Sequence, residues 1–292
     1  MYAAKTAGPS SSRFFADEMN VAASAKLELE SDLRRAIAGE GLQLYFQPKV
    51  DLATGRVIGA EALVRWQHPR RGLLTPLQFV PLAEECGLIV ALGDWVVAAA
   101  AAQLRAWTEA GIETVCIAVN LASPSFQQPD IVDRLVGIVR RAGVAPRQIV
   151  LDLTESLLMV DGERTIAVLD RLREQGFGLA LDDFGTGYSS LGYLKRFPLD
   201  ELKIDRSFVS DASGDSKDAA IVLSIIELGR HFGMRVVAEG VETAEQARFL
   251  LAKGCPIQQG FLFSRPLPAA DFSALLQSGR GNDFRRQLAA AG

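Results

Sequence analysis

Five carboxylates in this 292-residue chain stand at or near the ends of short apolar runs: Glu61 after VIGA, Asp152 within IVLDL, the pair Asp182 and Asp183 after GLAL, and Glu239 after RVVA. Asn120 follows CIAV, Lys203 lies within ELKI and Gln259 within PIQQGF. Oxygen donors of this kind, without Cys or His beside them, suit hard divalent ions such as magnesium, manganese or calcium rather than zinc or copper. Any one carboxylate is explained as a cap on the following helix. Brought to one place, they repel one another unless a positive charge sits among them, and a divalent cation is the simplest candidate. Successive strand residues normally point to opposite faces. At a strand end running into Phe184-Gly185-Thr186-Gly187, however, Asp182 and Asp183 could both turn to one side, one of them bridging two ions. Two ions about 4 Å apart activate a water and steady a departing oxygen, which is the chemistry of in-line displacement at phosphorus.

Lys203 is the one cation in this set, and three readings apply to it: orienting a water or offsetting phosphate charge, forming a Schiff base with a carbonyl substrate, or making a structural salt bridge with Asp205 or Glu201. A Schiff-base lysine needs a depressed pKa, and surrounding carboxylates raise it, so the water and phosphate role is favoured. The loop from Asp183 to Ser190 carries two glycines and four hydroxyls that could cradle phosphate, though glycine-rich loops also serve as turns. Arg65, four residues beyond Glu61, could reach phosphate from the same side, whereas Arg70 and Arg71 read as a solvated loop. Trp66, Trp95 and Trp107 read as packing residues. His68 and His231 lack evident partners and receive no role.

Elements that place these residues together are legible as strands Leu42–Val50, Val57–Leu63, Thr114–Asn120, Ile149–Leu153, Gly178–Asp182, Glu201–Ile204, Arg235–Ala238 and Ile257–Phe261. Helical stretches near 76–86, 94–110, 131–142, 163–175, 188–196, 216–232 and 242–253 alternate with them, several closed by glycine. The first two strands are separated only by Asp51 to Arg56, too short for a crossover, so they should pair antiparallel. Continuous apolar strands alternating with helices favour a (β/α)8 barrel with that first strand reversed. An open doubly wound sheet is disfavoured by the missing GxGxxG turn. In a barrel, the C-terminal strand ends converge on one mouth, where chemistry is done.

Composition is consistent with this reading. The chain is 49% hydrophobic and 23% charged, enough for a large core, and its formal charge of −4 disfavours a long polyanion such as nucleic acid as partner. Three scattered cysteines, Cys86, Cys116 and Cys255, form no CxxC pair, and no run of about 18 apolar residues appears, so a cytoplasmic chain without membrane contact is expected. Residues 41–275 form the expected barrel, 21–40 an amphipathic connector helix with Leu27, Leu29, Leu33 and Ile37, and 276–292 a tail.

The segment Glu61-Ala62-Leu63 with VRWQHP resembles the signature of EAL-family cyclic di-GMP phosphodiesterases, and the likeness continues through FQPKV, AVNLA, LDLTES, LDDFGTGYSSL, LKIDRSFV, VVAEGVET and QGFLFSRPLP, over about residues 40 to 272. The resemblance implies hydrolysis of cyclic di-GMP to linear pGpG with two Mg2+ or Mn2+ ions, a barrel with an antiparallel first strand, and a homodimer. It implies Glu61, Asn120, Asp152 and Asp182 as ligands of the first ion, Asp182 bridging to the second, with Asp183 and Glu239 alongside. Lys203 would hold the hydrolytic water. Gln47, Leu63, Arg65, Asp183 and Gln259 would line the nucleotide side, with Arg65 on phosphate. Glu155 would fix the glycine-rich loop and couple it to dimer formation.

One position departs from the family pattern, which usually has glutamate at Asp152. The shorter side chain retracts its carboxylate by one methylene, so a water fills the gap or the first ion binds more weakly. This keeps open a different class, a cyclic di-GMP receptor that binds without turnover. MYAAKTAG followed by Phe14-Phe15 also resembles the last helix and strand of a GGDEF domain, although the GGDEF signature is absent. Residues 1–20 are thus expected to be the remnant of such a domain, in a protein whose missing upstream segments could tether it to a membrane.

Overall fold

The computed structural model describes residues 24–39, 41–113, 115–155, 157, 162–185, 191–210, 212 and 217–278. The expected GGDEF remnant, most of the glycine-rich loop (186–190) and the tail from 279 onward lie outside the described residues.

After a helix α1 over 24–37, the chain forms β1 (Leu42–Asp51), β2 (Arg56–His68), a short β3 (Gly72–Leu74), α2 (Pro76–Glu85), α3 (Ile89–Glu109), β4 (Cys116–Leu121), α4 (Ser123–Phe126) and α5 (Ile131–Arg141). A 3-10 turn (Pro146–Gln148) leads to β5 (Ile149–Thr154), α6 (Gly162–Glu174), β6 (Gly178–Phe184), α7 (Leu191–Leu194), β7 (Glu201–Ile204) and α8 (Arg206–Ser210). The remaining elements are α9 (Lys217–Phe232), β8 (Arg235–Ala238), α10 (Ala244–Ala252), β9 (Ile257–Gln258), β10 (Leu267–Pro268) and α11 (Ala269–Ser278). Local signals set many of these boundaries. Thr243 caps α10, its hydroxyl accepting from Gln246 N–H while the Gln246 side chain accepts from Thr243 N–H, and the helix stops at Lys253 before Gly254, whose φ is +88°. Such a cap contributes about 1 kcal/mol.

The expected hairpin is present. Asp51 organises its turn by accepting from Ala53 N–H at 2.9 Å and from the Thr54 hydroxyl at 2.8 Å, with Gly55 at φ +72°. Register pairs Gln47 with Glu61 and Val50 with Val57. β1 then runs antiparallel to β9 as well, through Val50 and Gln258, which closes the barrel; the contacts from β2 to β4 and onward to β9 are all parallel. Several expected bounds shift. β2 continues past Leu63 to His68 and pairs with β3, β9 is only two residues long, and the helix expected at 188–196 is described as α7 alone. α11 also runs past the expected limit at 275, because Leu275 and Leu276 pack against the core.

Most of the core lies between the strands' outer faces and the helices, where Ile117, Val119, Leu151, Leu153, Leu179, Leu181 and Leu202 are buried. Each such side chain stabilises by roughly 1.5–3 kcal/mol. α3 is apolar enough by length and composition to cross a membrane, with mean hydropathy 1.4, yet its buried stripe from Ile89 to Trp107 belongs to this core. Inside the barrel the pattern reverses. Ala118, Val150 and Ala180 form a small separate cluster there, two of its three positions being alanine where barrels normally carry bulky branched residues. The space they leave takes buried polar groups: Lys49 ion-paired with Glu201, and Lys203 among the acids of the mouth.

Candidate metal centre at the barrel mouth

Lys203, on β7, is 0% exposed, and its ammonium lies 2.9 Å from Asp152 Oδ2, 2.8 Å from Asp182 Oδ2, 2.6 Å from Glu239 Oε1 and 3.9 Å from Glu61 Oε2. The structural reading of Lys203 as a partner of Glu201 or Asp205 is thus corrected. Glu201 pairs with Lys49 instead, and Asp205 caps its own turn by accepting from Ser207 N–H. Lys203 is itself a positive charge among the acids, but one ammonium faces four carboxylates. The excess of negative charge still calls for cations.

Glu61 is held at both oxygens: Asn120 Nδ2 donates to Oε1 at 2.6 Å and Gln259 Nε2 to Oε2 at 2.6 Å. Gln259 also donates to Gln47 Oε1 at 3.2 Å, and Gln47 Nε2 donates to the Ser264 carbonyl, so a chain of amides fixes one side of the site. β2 presents Glu61, Leu63 and Arg65 to one face by its two-residue alternation. Arg65 is half-buried, donates to the Val64 carbonyl and lies 5.5 Å from the Tyr45 ring centroid.

Asp182 and Asp183 sit at an irregularity, where the β6–β7 register shifts between Leu181 and Phe184. Asp183 has φ +54°, a left-handed conformation uncommon outside glycine, and its N–H donates to Asp182 Oδ1 at 2.9 Å. This irregularity breaks the alternation of the strand between the two acids. Glu155 is buried and its Oε2 accepts from Gly185 N–H at 3.1 Å, a contact at the start of the glycine-rich loop.

Ligand atoms of Glu61, Asp152 and Asp182 all lie within 4.8 Å of one another, a spacing that one hard cation spans. Asp152 is 1% exposed and its Oδ1 has no hydrogen-bond partner among the described residues. An orphaned buried carboxylate oxygen is costly and fits a missing ligand. The donor set therefore suits a divalent ion, and the shortened Asp152 side chain still belongs to the group.

Burial pushes the Asp152 carboxyl up to about 6, with Asp182 and Glu61 adding to the rise and Lys203 and Lys49 opposing it. Burial likewise pushes Glu239 up to about 8, reinforced by Asp182 and Glu61 and opposed by Lys203. Burial also acts to raise Glu61, but Lys203 and the amides of Asn120 and Gln259 outweigh it and hold the group below its ordinary value. Lys203 goes well above its usual range: the four acids overcome its desolvation. Acids with raised folded pKa values stabilise the metal-free protein fully only below their unfolded values, and that stability is lost as pH rises through about 6 and then about 8. Cations require both groups ionised, so divalent affinity should rise across the same window. Calorimetry at pH 7 in buffers of differing ionisation enthalpy should detect release of about one proton per site, mostly from Glu239. Buffer-independent heats would contradict this assignment.

Two features had no clear sequence signal. The Lys49–Glu201 pair joins residues 152 apart, and His68 has partners after all. Its Nδ1 accepts from Arg70 N–H at 3.1 Å and its Nε2 lies 3.1 Å from Asp32 Oδ2, docking α1 on the end of β2. Arg70 also reaches Asp32 at 2.9 Å, so it is more than a solvated loop residue.

A barrel closed by one reversed strand, with an acidic mouth braced by a buried lysine, defines a class of barrel proteins whose open end fits divalent cations. The chain belongs to the EAL domain family, whose pattern matches residues 30–266. It is 47% identical over 274 residues to the bifunctional diguanylate cyclase/cyclic di-GMP phosphodiesterase MucR of Pseudomonas aeruginosa, covering 94% of this chain and 40% of MucR. It is 43% identical over 280 residues to the cyclic di-GMP phosphodiesterase NbdA of the same organism, covering 96% of this chain and 36% of NbdA. The chain thus spans less than half the length of these curated relatives. Among solved structures, the PaMucR phosphodiesterase in complex with c-di-GMP matches with a TM-score of 0.80 at 47% identity, covering 84% of this chain and 99% of that one.

Proposed function

We propose that this domain is a metal-dependent phosphodiesterase that hydrolyses cyclic di-GMP to linear pGpG with two Mg2+ or Mn2+ ions. The observation that carries the reading is the buried convergence of Glu61, Asp152 and Asp182 with an unpartnered Asp152 oxygen, in a chain similar along most of its length to two cyclic di-GMP phosphodiesterases. Glu61, Asn120, Asp152 and Asp182 would hold the first ion, Asp182 would bridge to the second, and Asp183 and Glu239 would stand beside it. Bound ions would activate a water and stabilise the departing oxygen. The chain's own groups supply orientation. Asn120 and Gln259 fix Glu61, and Lys203, protonated throughout the working range, holds Asp152, Asp182 and Glu239 in place and offers a cation to the water and phosphate. That charge state also disfavours a Schiff base. Gln47, Leu63, Arg65 and Gln259 would face the nucleotide, with Arg65 taking a phosphate oxygen. Glu155, bonded to Gly185, would tie the following loop to homodimer formation.

Incubating the purified chain with cyclic di-GMP and either ion should yield pGpG; no product with Mg2+ or Mn2+ sinks the proposal. Asp152→Glu, which restores the usual family residue, should keep activity and tighten the apparent divalent affinity by about threefold to tenfold, less than 1.4 kcal/mol. Binding of the nucleotide without product in both proteins would instead identify a receptor.

A further inference from the structure

At the opposite end of the barrel from the acidic mouth, a cavity of about 420 Å³ opens at the first residues of β4, β6 and β8. Three arginines from three different elements line it: Arg147 from the 3-10 turn, Arg173 from α6 and Arg235 from β8. Among the described residues they face a single carboxylate in the lining, Asp200. Arg173 approaches Asp200 only to 3.7 Å, and Arg235 reaches Glu201 behind the cavity only to 3.7 Å, while Glu201 is already paired with Lys49. Arg147 makes no ion pair among the described residues. Phe232, at the end of α9, stands at the same cavity 39% exposed and offers an aromatic surface beside the charges.

Planar guanidinium forks match phosphate oxygens two at a time, and ring faces or edges accept flat apolar bodies. The volume falls within the range of small-ligand sites and exceeds what a bare inorganic anion fills. Cys116, also in the lining, has its thiol pushed up by burial, which disfavours the thiolate.

We propose that this cavity is a second ligand site, independent of the acidic mouth, that takes a phosphate monoester carrying a flat aromatic body, a nucleoside monophosphate being the simplest example. The mouth is acidic without its cations and repels such a ligand, so the two sites separate cleanly in the absence of divalent ions. Calorimetric titration of the full chain in EDTA with 5′-AMP should give saturable binding with Kd of about 1 mM or tighter. Inorganic phosphate should bind more weakly and adenosine should not bind. Arg147→Glu combined with Arg173→Glu, both exposed side chains, should weaken 5′-AMP by about tenfold or more with an unchanged melting temperature. Arg147→Lys with Arg173→Lys should give a loss intermediate between wild type and the double glutamate variant, because the charge stays while the two-pronged fork is lost, and Glu61→Gln at the mouth should leave the affinity unaltered. Absence of saturable binding up to about 10 mM, or wild-type affinity in the double glutamate variant, overturns the proposal. Phosphate alone binding as tightly as 5′-AMP overturns the aromatic part of the assignment. Neither result depends on whether the mouth hydrolyses cyclic di-GMP.

Discussion

Lys203→Met should leave the metal-free protein about 3–5 kcal/mol less stable, a loss that saturating Mg2+ or Mn2+ partly restores. The ammonium is wholly buried and contacts Asp152, Asp182 and Glu239 within 3 Å, so methionine keeps the apolar stem and leaves acids facing one another without compensation. Those acids can respond by taking up protons, and the sign of the pH effect follows. With Lys203 gone the already raised folded pKa values of Asp152 and Glu239 rise further, so the variant should come closest to the wild type near pH 5 and fall furthest behind near pH 8. Turnover should also drop by about 10³-fold, because the charge next to the proposed water is lost. Urea unfolding in EDTA at pH 5.5 and pH 8, with and without divalent ion, reads all of these signs. Equal stability of variant and wild type in EDTA at pH 8 would show that the acids do not depend on this lysine.

Glu61→Gln should abolish both activity and the thermal stabilisation conferred by divalent ions. Removal of a carboxylate from the ion's proposed shell costs on the order of 4 kcal/mol of transition-state stabilisation, or about 10³-fold in kcat/KM. Glutamine has nearly the same shape but presents one oxygen and one NH2 group, whereas Asn120 and Gln259 both donate to this position. One of those amides must turn away, so the damage should spread along the Gln259–Gln47 chain. The fold itself should survive, since residues at a barrel's mouth serve function more than stability. Differential scanning fluorimetry with increasing Mn2+ separates the cases: a flat response with a normal melting temperature in EDTA is expected, and a wild-type Mn2+ shift would remove Glu61 from the metal centre.

Much of this site is legible along the chain because strand ends are local features. An apolar run that stops at a polar residue marks both a strand and the residue delivered to its end, so Glu61, Asn120, Asp152, Asp182 and Glu239 could be placed at one mouth once eight such runs were counted. The β1–β2 hairpin was equally local, set by a turn of a few residues around Asp51 and Gly55. Two adjacent acids at a strand end suggested that both could turn to one side; the register shift between Leu181 and Phe184 and the φ of +54° at Asp183 show that the regular alternation is broken there. Less was visible where partners are distant. Lys203 could be paired on paper with its neighbours Glu201 and Asp205, but alternation along β7 aims Lys203 and Glu201 the same way, and Lys203 finds its partners on β5, on β6 and just past β8, whereas Glu201 finds Lys49 on β1. His68 looked unattached because its partner Asp32 belongs to a helix that precedes the hairpin.

Residue order alone determined which side chains each strand would carry to its end, which strand would run backwards, and that the donors would be oxygens suited to hard cations. Barrel closure decided who meets whom: that Lys203 is shared by Asp152, Asp182 and Glu239, that Lys49 neutralises Glu201 beneath them, that Asp152 keeps one oxygen unpartnered, and that three arginines gather at the far end. Periodicity encodes only the face a side chain occupies, whereas the distance between faces 21 to 152 residues apart in sequence is set by strand register and by the small residues that leave room inside the barrel.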